Sequence, residues 1–446
     1  MAKDSDVLVI GAGVAGLSAA ARLAASGYVV SILEARQRVG GRIHTLYDPT
    51  TGAPIELGAE FIHGKPPEIL NALRDANIGT TEVDGDSWCS SQRQLSVCDF
   101  FGLVDDVLQK MDDSRPDESF SEFLTKCCPD NSAKSEEAKR RSLAYISGFN
   151  AADPALVGLH WLVEEMRAEE RNEGEKAFHP EGGYASLIQL LEKSGKRDRV
   201  TIQIGAVVDT INWEPGSVEI LGKVGESRFS FAASRVLVTV PLAVLQAQPG
   251  EEGSITFAPA LPSEKLDAMR KLEMGKVIRV VFRFRSRFWA KIIPAKSAKT
   301  LSDMSFLFSE DPLFPTWWTT MPTKLPLITA WAPFRAAEAL SGKPESFVVE
   351  EGLRVLATLL GASRSEVDSE FEAAHFHDWQ NDPYSRGAYS YGKVGSRGAQ
   401  QSLGTPIANT LFFAGEATDI SGNNGTVHGA IASANRAVSE ILESLR

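Results

Sequence analysis

Cysteine is scarce in this chain: its 446 residues include four, Cys89, Cys98, Cys127 and Cys128, and none has the C-x-x-C spacing of a zinc or dithiol site. A reduced, metal-free protein is therefore expected. Long apolar runs are missing too, with nothing near the ~18 residues of a membrane span. The start "MAKDSDVLVIGAG" carries no charged-then-apolar signal. The expectation is a cytoplasmic protein with no membrane partner. Positive charge is in deficit, since 46 Lys and Arg against 58 Asp and Glu leave a net charge of -12. That balance argues against a nucleic-acid partner and suits a small cationic ligand. Internal repeats and low-complexity tracts are absent. At ~150 residues per domain the length suggests two or three domains.

What is present starts at residue 7. "DVLVIGAGVAGLSAAARLAASGYVVSILEAR" reads as strand, tight turn, helix and strand. Val7 to Ile10 form a continuous apolar run, as a parallel strand buried on both faces requires. Gly11, Gly13 and Gly16 then spell G-x-G-x-x-G. The first permits the turn, the second lets the backbone approach a pyrophosphate, and the third lets the helix lie close on the sheet. The helix N-terminus favours phosphate through its free amides and dipole. Glu34 follows Gly16 by 18 residues at the end of the second strand, where a carboxylate accepts hydrogen bonds from ribose hydroxyls and repels a 2'-phosphate. Arg36, Arg42 and the Gly40–Gly41 amides extend this anion site beyond what a nicotinamide fold needs.

The run E-A-R-x-R-x-G-G-R, from Glu34 to Arg42, resembles the flavin-dependent amine oxidases. So do "PIELGAEFIHG", "VLVTVPLAVL", "FFAGEAT" and "GTVHGA", which follow in the same order along nearly the whole chain. The resemblance implies a Rossmann-like α/β FAD-binding domain interwoven with an α+β substrate-binding domain. The FAD domain is expected from residues 1–80, 195–262 and 386–446, and the substrate domain from 81–194 and 263–385. Beyond the residues already named, the resemblance places Gly58, Ala59, Glu60, Val207, Gly415, Glu416, Thr426 and Val427 around FAD, with Glu416 near the ribityl chain. The helix beginning near Thr426 would aim its positive end at the flavin's pyrimidine edge, where negative charge develops on reduction.

At the substrate end the candidate catalytic residues are Tyr389, Thr426, His63 and Arg279. Tyr389 falls where the family places one wall of an aromatic cage. Ala388 falls where monoamine oxidases carry the cysteine bonded to flavin, so FAD is expected to be noncovalent. Thr426 replaces the second cage tyrosine, and "GTVHGA" looks like the lysine-specific histone demethylases and some polyamine oxidases. His63 matches a substrate-facing histidine of animal polyamine oxidases. Arg279 stands where most of the family has a lysine that holds a water at the flavin. Lys276, three residues earlier, would point the other way on a strand. Glu164, Glu165, Glu169 and Glu170 recur at helical spacing and read either as a solvated face or as a guide for a polyamine. His375 and His377, at strand spacing, read as structural. Tyr391 reads as core.

The implied reaction is hydride transfer from the carbon beside a neutral amine nitrogen, giving an imine that water hydrolyses. O2 or another acceptor takes the electrons, with hydrogen peroxide as the product from O2. A polyamine-like substrate fits best. An L-amino-acid oxidase in which Arg279 meets a carboxylate, an amine dehydrogenase and a flavin desaturase remain open. No motif speaks to the oligomeric state.

Overall fold

The computed structural model describes residues 5–91, 94–128, 132–194 and 198–445. Its first layer is a five-stranded parallel sheet ordered Val200–Ile204, Val30–Glu34, Val7–Ile10, Arg235–Val238 and Leu411–Phe413. Alternation along the central strand sorts its side chains. Val7 and Val9 pack on the helices Val14–Ala25 and Val427–Ser444, while Leu8 and Ile10 pack on a four-stranded sheet with Val208, Ile211 and Ile220. Ala19 and Ala20 let the first helix lie close on the strands, and both are buried.

The second large sheet has seven strands in the order Phe371–Asp378, Val277–Phe284, Leu327–Pro333, Thr316–Thr319, Met304–Phe308, Asp86–Ser91 and Gln94–Val97. Ile278, Val280 and Phe282 share one core with Val348, Leu353 and Leu356 of the helix Glu345–Leu360. The alternate residues of the same strand face the other way: Val281 packs with Ile55 and Leu57, and Arg279 shares that face. Lys276 lies before the strand, exposed and paired with Glu338 at 2.7 Å. The interwoven α/β and α+β architecture expected from the sequence is the one observed.

One expectation is corrected. Cys89 and Cys98 form a disulfide across the hairpin of Asp86–Ser91 and Gln94–Val97, so the cysteines are not all reduced. Hairpin pairing brings the two residues together although nine positions separate them, a proximity that spacing alone does not reveal. Cys127 and Cys128 remain free. Among the described residues no helix is long and apolar enough to cross a membrane.

Candidate active site

The glycine-rich turn is built by close approach. Gly11 has φ +101°, and a β-carbon on Gly16 would lie 2.0 Å from the Gly11 carbonyl oxygen. The helix Val14–Ala25 starts at Gly13 without a side-chain cap, leaving its first amides to another acceptor. A β-carbon on Gly13 would meet only Gly41 Cα, at 3.9 Å, whereas one on Gly41 would press on Gly13 Cα at 3.1 Å. Glu34, 3% exposed, is no stray strand-end charge. Its Oε2 accepts from the Ala12 amide at 2.7 Å and its Oε1 from the Arg36 amide at 2.9 Å. Arg36, expected on the anion, is instead bidentate to Asp382 at 2.7 and 3.1 Å, and His377 Nε2 shares that carboxylate at 3.0 Å. Val207 lies just past the strand that pairs Ile204 with Glu34, and the Gly205 amide donates to the Arg36 carbonyl at 2.8 Å.

Arg42 and Glu416 join this end to the reactive end. Arg42 Nη1 donates to Glu416 Oε1 and to the Ala388 carbonyl, both at 2.8 Å. Glu416 Oε2 accepts from Ser390 Oγ at 2.6 Å and from the Gly425 amide at 3.0 Å. A cleft lined by Arg42, Val238, Pro241, Phe413, Gly415 and Glu416 opens at the carboxyl ends of the parallel strands, where ligands of such sheets bind. A β-carbon on Gly415 would meet only the Thr239 carbonyl oxygen, at 3.8 Å. Thr426 caps the helix Val427–Ser444, its Oγ1 accepting from the Gly429 amide at 2.9 Å. Val427 is thus the first residue of a helix whose positive end faces the Glu416 loop.

Tyr389 is fixed on three sides. Its hydroxyl donates to the Phe149 carbonyl, its carbonyl accepts from the Gly275 amide at 2.7 Å, and its ring lies against Gly425. Burial, followed by the charge of Glu165, keeps the phenol protonated far above its ordinary range. Next to Phe149 stands Asn150, 7% exposed, whose Nδ2 donates to Glu165 Oε2 at 2.6 Å and whose Oδ1 is buried without a partner. Glu165 is pushed well above the usual carboxylate range by burial and then by Glu169. Glu169 is raised to about 7 by burial and then by Asp105. Glu169 nonetheless keeps open surface, as Glu170 does, and Glu164 pairs with Arg397 at 3.3 Å. Within the acidic run, Glu165 is the carboxyl group tied to the Tyr389 side, through Asn150.

From Phe149 a line of rings leads through Phe308, Phe306 and Phe61 to Trp318, with neighbouring centroids 5.7 to 6.4 Å apart. Trp318 sits at 5.2 Å under the guanidinium of Arg279. Arg279 Nη1 donates to the Gly58 carbonyl at 2.8 Å and Nη2 to Glu60 Oε2, which also accepts from Trp318 Nε1 at 2.8 Å. The Glu60 carboxylate is thus spent on side chains. Ala59 donates its amide to the Arg42 carbonyl at 3.2 Å, and Gly58 has no room for a β-carbon, which would lie 1.9 Å from that carbonyl oxygen. His63 stands beside Phe61, with ring centroids 6.1 Å apart; it keeps open surface, and desolvation by the surrounding protein lowers its pKa. Tyr391, as expected, is core.

The model of the family described as "Flavin containing amine oxidoreductase" matches residues 14–90 and 108–442 of this chain. The chain belongs to that family. As a flavin-containing amine oxidoreductase it is 29% identical to "Lysine-specific histone demethylase 1 homolog 2" of Arabidopsis thaliana over 98% of its own length, spanning 58% of that relative. It is 27% identical to the "Peroxisomal N(1)-acetyl-spermine/spermidine oxidase" of Homo sapiens, covering 98% of this chain and 94% of that one. Its fold superposes on a putrescine oxidase bound to putrescine with a TM-score of 0.80 at 20% identity, covering 98% of this chain and 99% of that one. The uncapped helix start and the bare faces of Gly13 and Gly415 fit the flavin the family contains.

Asn150 and Trp318 lie far from any motif and reach the site by tertiary pairing, while Asp382, in the same stretch as Tyr389, gave no sign that it would hold Arg36. Glu165 and Glu169 were visible as a helical acidic face, but nothing in the spacing said which carboxyl group is tied to the Tyr389 side.

Proposed function

We propose that this chain uses noncovalently bound FAD to oxidise a small amine carrying more than one ammonium group, a diamine or polyamine, at the C–H bond beside a nitrogen. FAD supplies the acceptor for that hydride, and O2 takes the electrons on to hydrogen peroxide. The imine product is hydrolysed by water to an aldehyde and a free amine. Glu34, the Gly11–Gly16 turn, Arg42, Gly58, Ala59, Val207, Gly415, Glu416 and the Thr426–Val427 helix start hold the dinucleotide. Ala388 offers no thiol for a covalent bond to the flavin.

The observation that carries the substrate class is the pair of carboxyl groups near Tyr389. Asn150 donates to Glu165 while its own Oδ1 is buried without a partner, and among the described residues neither Glu165 nor Glu169 pairs with a cation. Such groups, once ionised, suit a ligand that is all donors, and a primary ammonium offers three. Tyr389 is the apolar wall that orients the reacting end of the amine and excludes water, and its ring face accepts cations on approach. The amino-acid reading loses support here, because Arg279 is already matched by Glu60 and has no free fork for a substrate carboxylate.

Anaerobic mixing of the yellow protein with putrescine, spermidine, spermine and L-amino acids decides the matter. Bleaching of the flavin band by the di- and polyamines is expected. Bleaching by amino acids alone, or by none of them, would refute the reading.

A further inference from the structure

Arg279 sits in the strand Val277–Phe284 with Ile278 and Val280 on either side of it, all three essentially buried. A cation in that setting requires a partner, and breaking a buried pair leaves an uncompensated charge. Glu60 is that partner, fixed in turn by Trp318 Nε1, while the Gly58 carbonyl accepts from Arg279 Nη1. The third guanidinium donor, Nε, is buried without an acceptor. His179, whose Nδ1 lies 3.8 Å from Glu60, is kept toward its neutral form by burial. Arg42 is matched in the same way by Glu416. Both of these cations therefore carry a carboxylate, and the helix start at Val427 adds positive potential nearby.

We propose that Glu60 is a positioning residue which neutralises Arg279 beside the flavin-binding segment and so holds the flavin's electron affinity below what a free cation at position 279 would give. The inference rests on the FAD reading above, because the Gly58–Glu60 segment is backbone-tied to Arg42 and through it to Ala388. Flavin gains negative charge with its electrons, and a nearby unpaired cation in a low-dielectric site favours that charge. A family lysine at position 279 would act as such a cation. The Arg279–Glu60 pair contributes no net charge, which also slows electron transfer to O2.

Sulfite probes this independently of turnover, since the anion adds to oxidised flavin and binds more tightly where positive charge is near. In the FAD-loaded protein, Glu60→Gln is expected to tighten sulfite binding about tenfold, equivalent to a rise of about 30 mV in the two-electron midpoint potential. The double variant Glu60→Gln with Arg279→Gln removes both charges and should return to within about threefold of wild type. Should Glu60→Gln fail to fold, Glu60→Asp draws the carboxylate back from Nη2 and should tighten sulfite binding in the same direction. Unchanged sulfite affinity in a folded, fully yellow single variant overturns the proposal, as does a double variant that keeps the shift. Failure of the wild type to retain FAD or to bleach with amines would instead defeat the underlying reading, so the two failures are distinguishable.

Discussion

If the proposed diamine binds at Glu165 and Glu169, that pair links substrate affinity and stability to pH. In the ligand-free protein both hold their protons to higher pH than the unfolded chain does, with Glu169 raised from 4.5 to about 7. The folded state binds the extra proton, so the stability this site contributes is full at low pH and is lost as pH rises from about 4.5 through about 7. A diammonium ligand reverses the penalty, because it favours the ionised pair. Putrescine should therefore raise the thermal midpoint more at about pH 8 than at about pH 6, and its KM should fall over the same interval. Glu165→Gln is expected to raise KM for a diamine by about tenfold, to change kcat less, and to flatten the pH dependence. A variant with wild-type KM and pH profile would exclude the pair from substrate binding.

At the scale of elements, the helix Val427–Ser444 and the hairpin of Asp86–Ser91 with Gln94–Val97 carry separate tests. Thr426→Ala removes the cap on Gly429 and should cost about 1 kcal/mol in urea denaturation, while Thr426→Ser should restore most of it. The hairpin disulfide predicts that the denatured, unreduced chain exposes two titratable thiols, Cys127 and Cys128, where a fully reduced chain would show four. Here the sequence was legible unevenly. Val7–Ile10, the glycine turn and Glu34 stand in one local unit, so their periodicity and spacing forecast both the elements and the site. Cys89 and Cys98 gave no such clue, since their partnership depends on hairpin register. Arg279 was legible as an anomaly, but its consequence was not. The residue that answers it, Glu60, lies 219 positions away in a loop and meets it because alternation along Val277–Phe284 turns Arg279 toward that loop.

The whole molecule explains why that remote pairing is general rather than incidental. The segments proposed to hold the flavin, Gly11–Glu34, Arg42–Glu60, Ala388–Tyr389 and Gly415–Val427, come from stretches of chain that the two large sheets bring together. The Arg36–Asp382 pair and the bond from Trp379 Nε1 to the Leu57 carbonyl, 2.8 Å, stitch the second sheet's last strand to the first sheet's loops. A ligand that binds across such a seam stabilises the entire fold by mass action, about 2.7 kcal/mol when free FAD is at 100 times its Kd. Removing FAD should thus lower the thermal midpoint of the whole chain. Glu34→Ala should shrink that FAD-dependent increment and weaken FAD retention, since its carboxylate ties the Ala12 turn to the Arg36 amide and is the group proposed to meet the ribose. Because position 388 is alanine, acid precipitation should leave all the yellow colour in the supernatant. Colour held in the pellet would mean that another side chain bonds the flavin, and FAD retention undiminished by Glu34→Ala would move the ribose elsewhere in the groove.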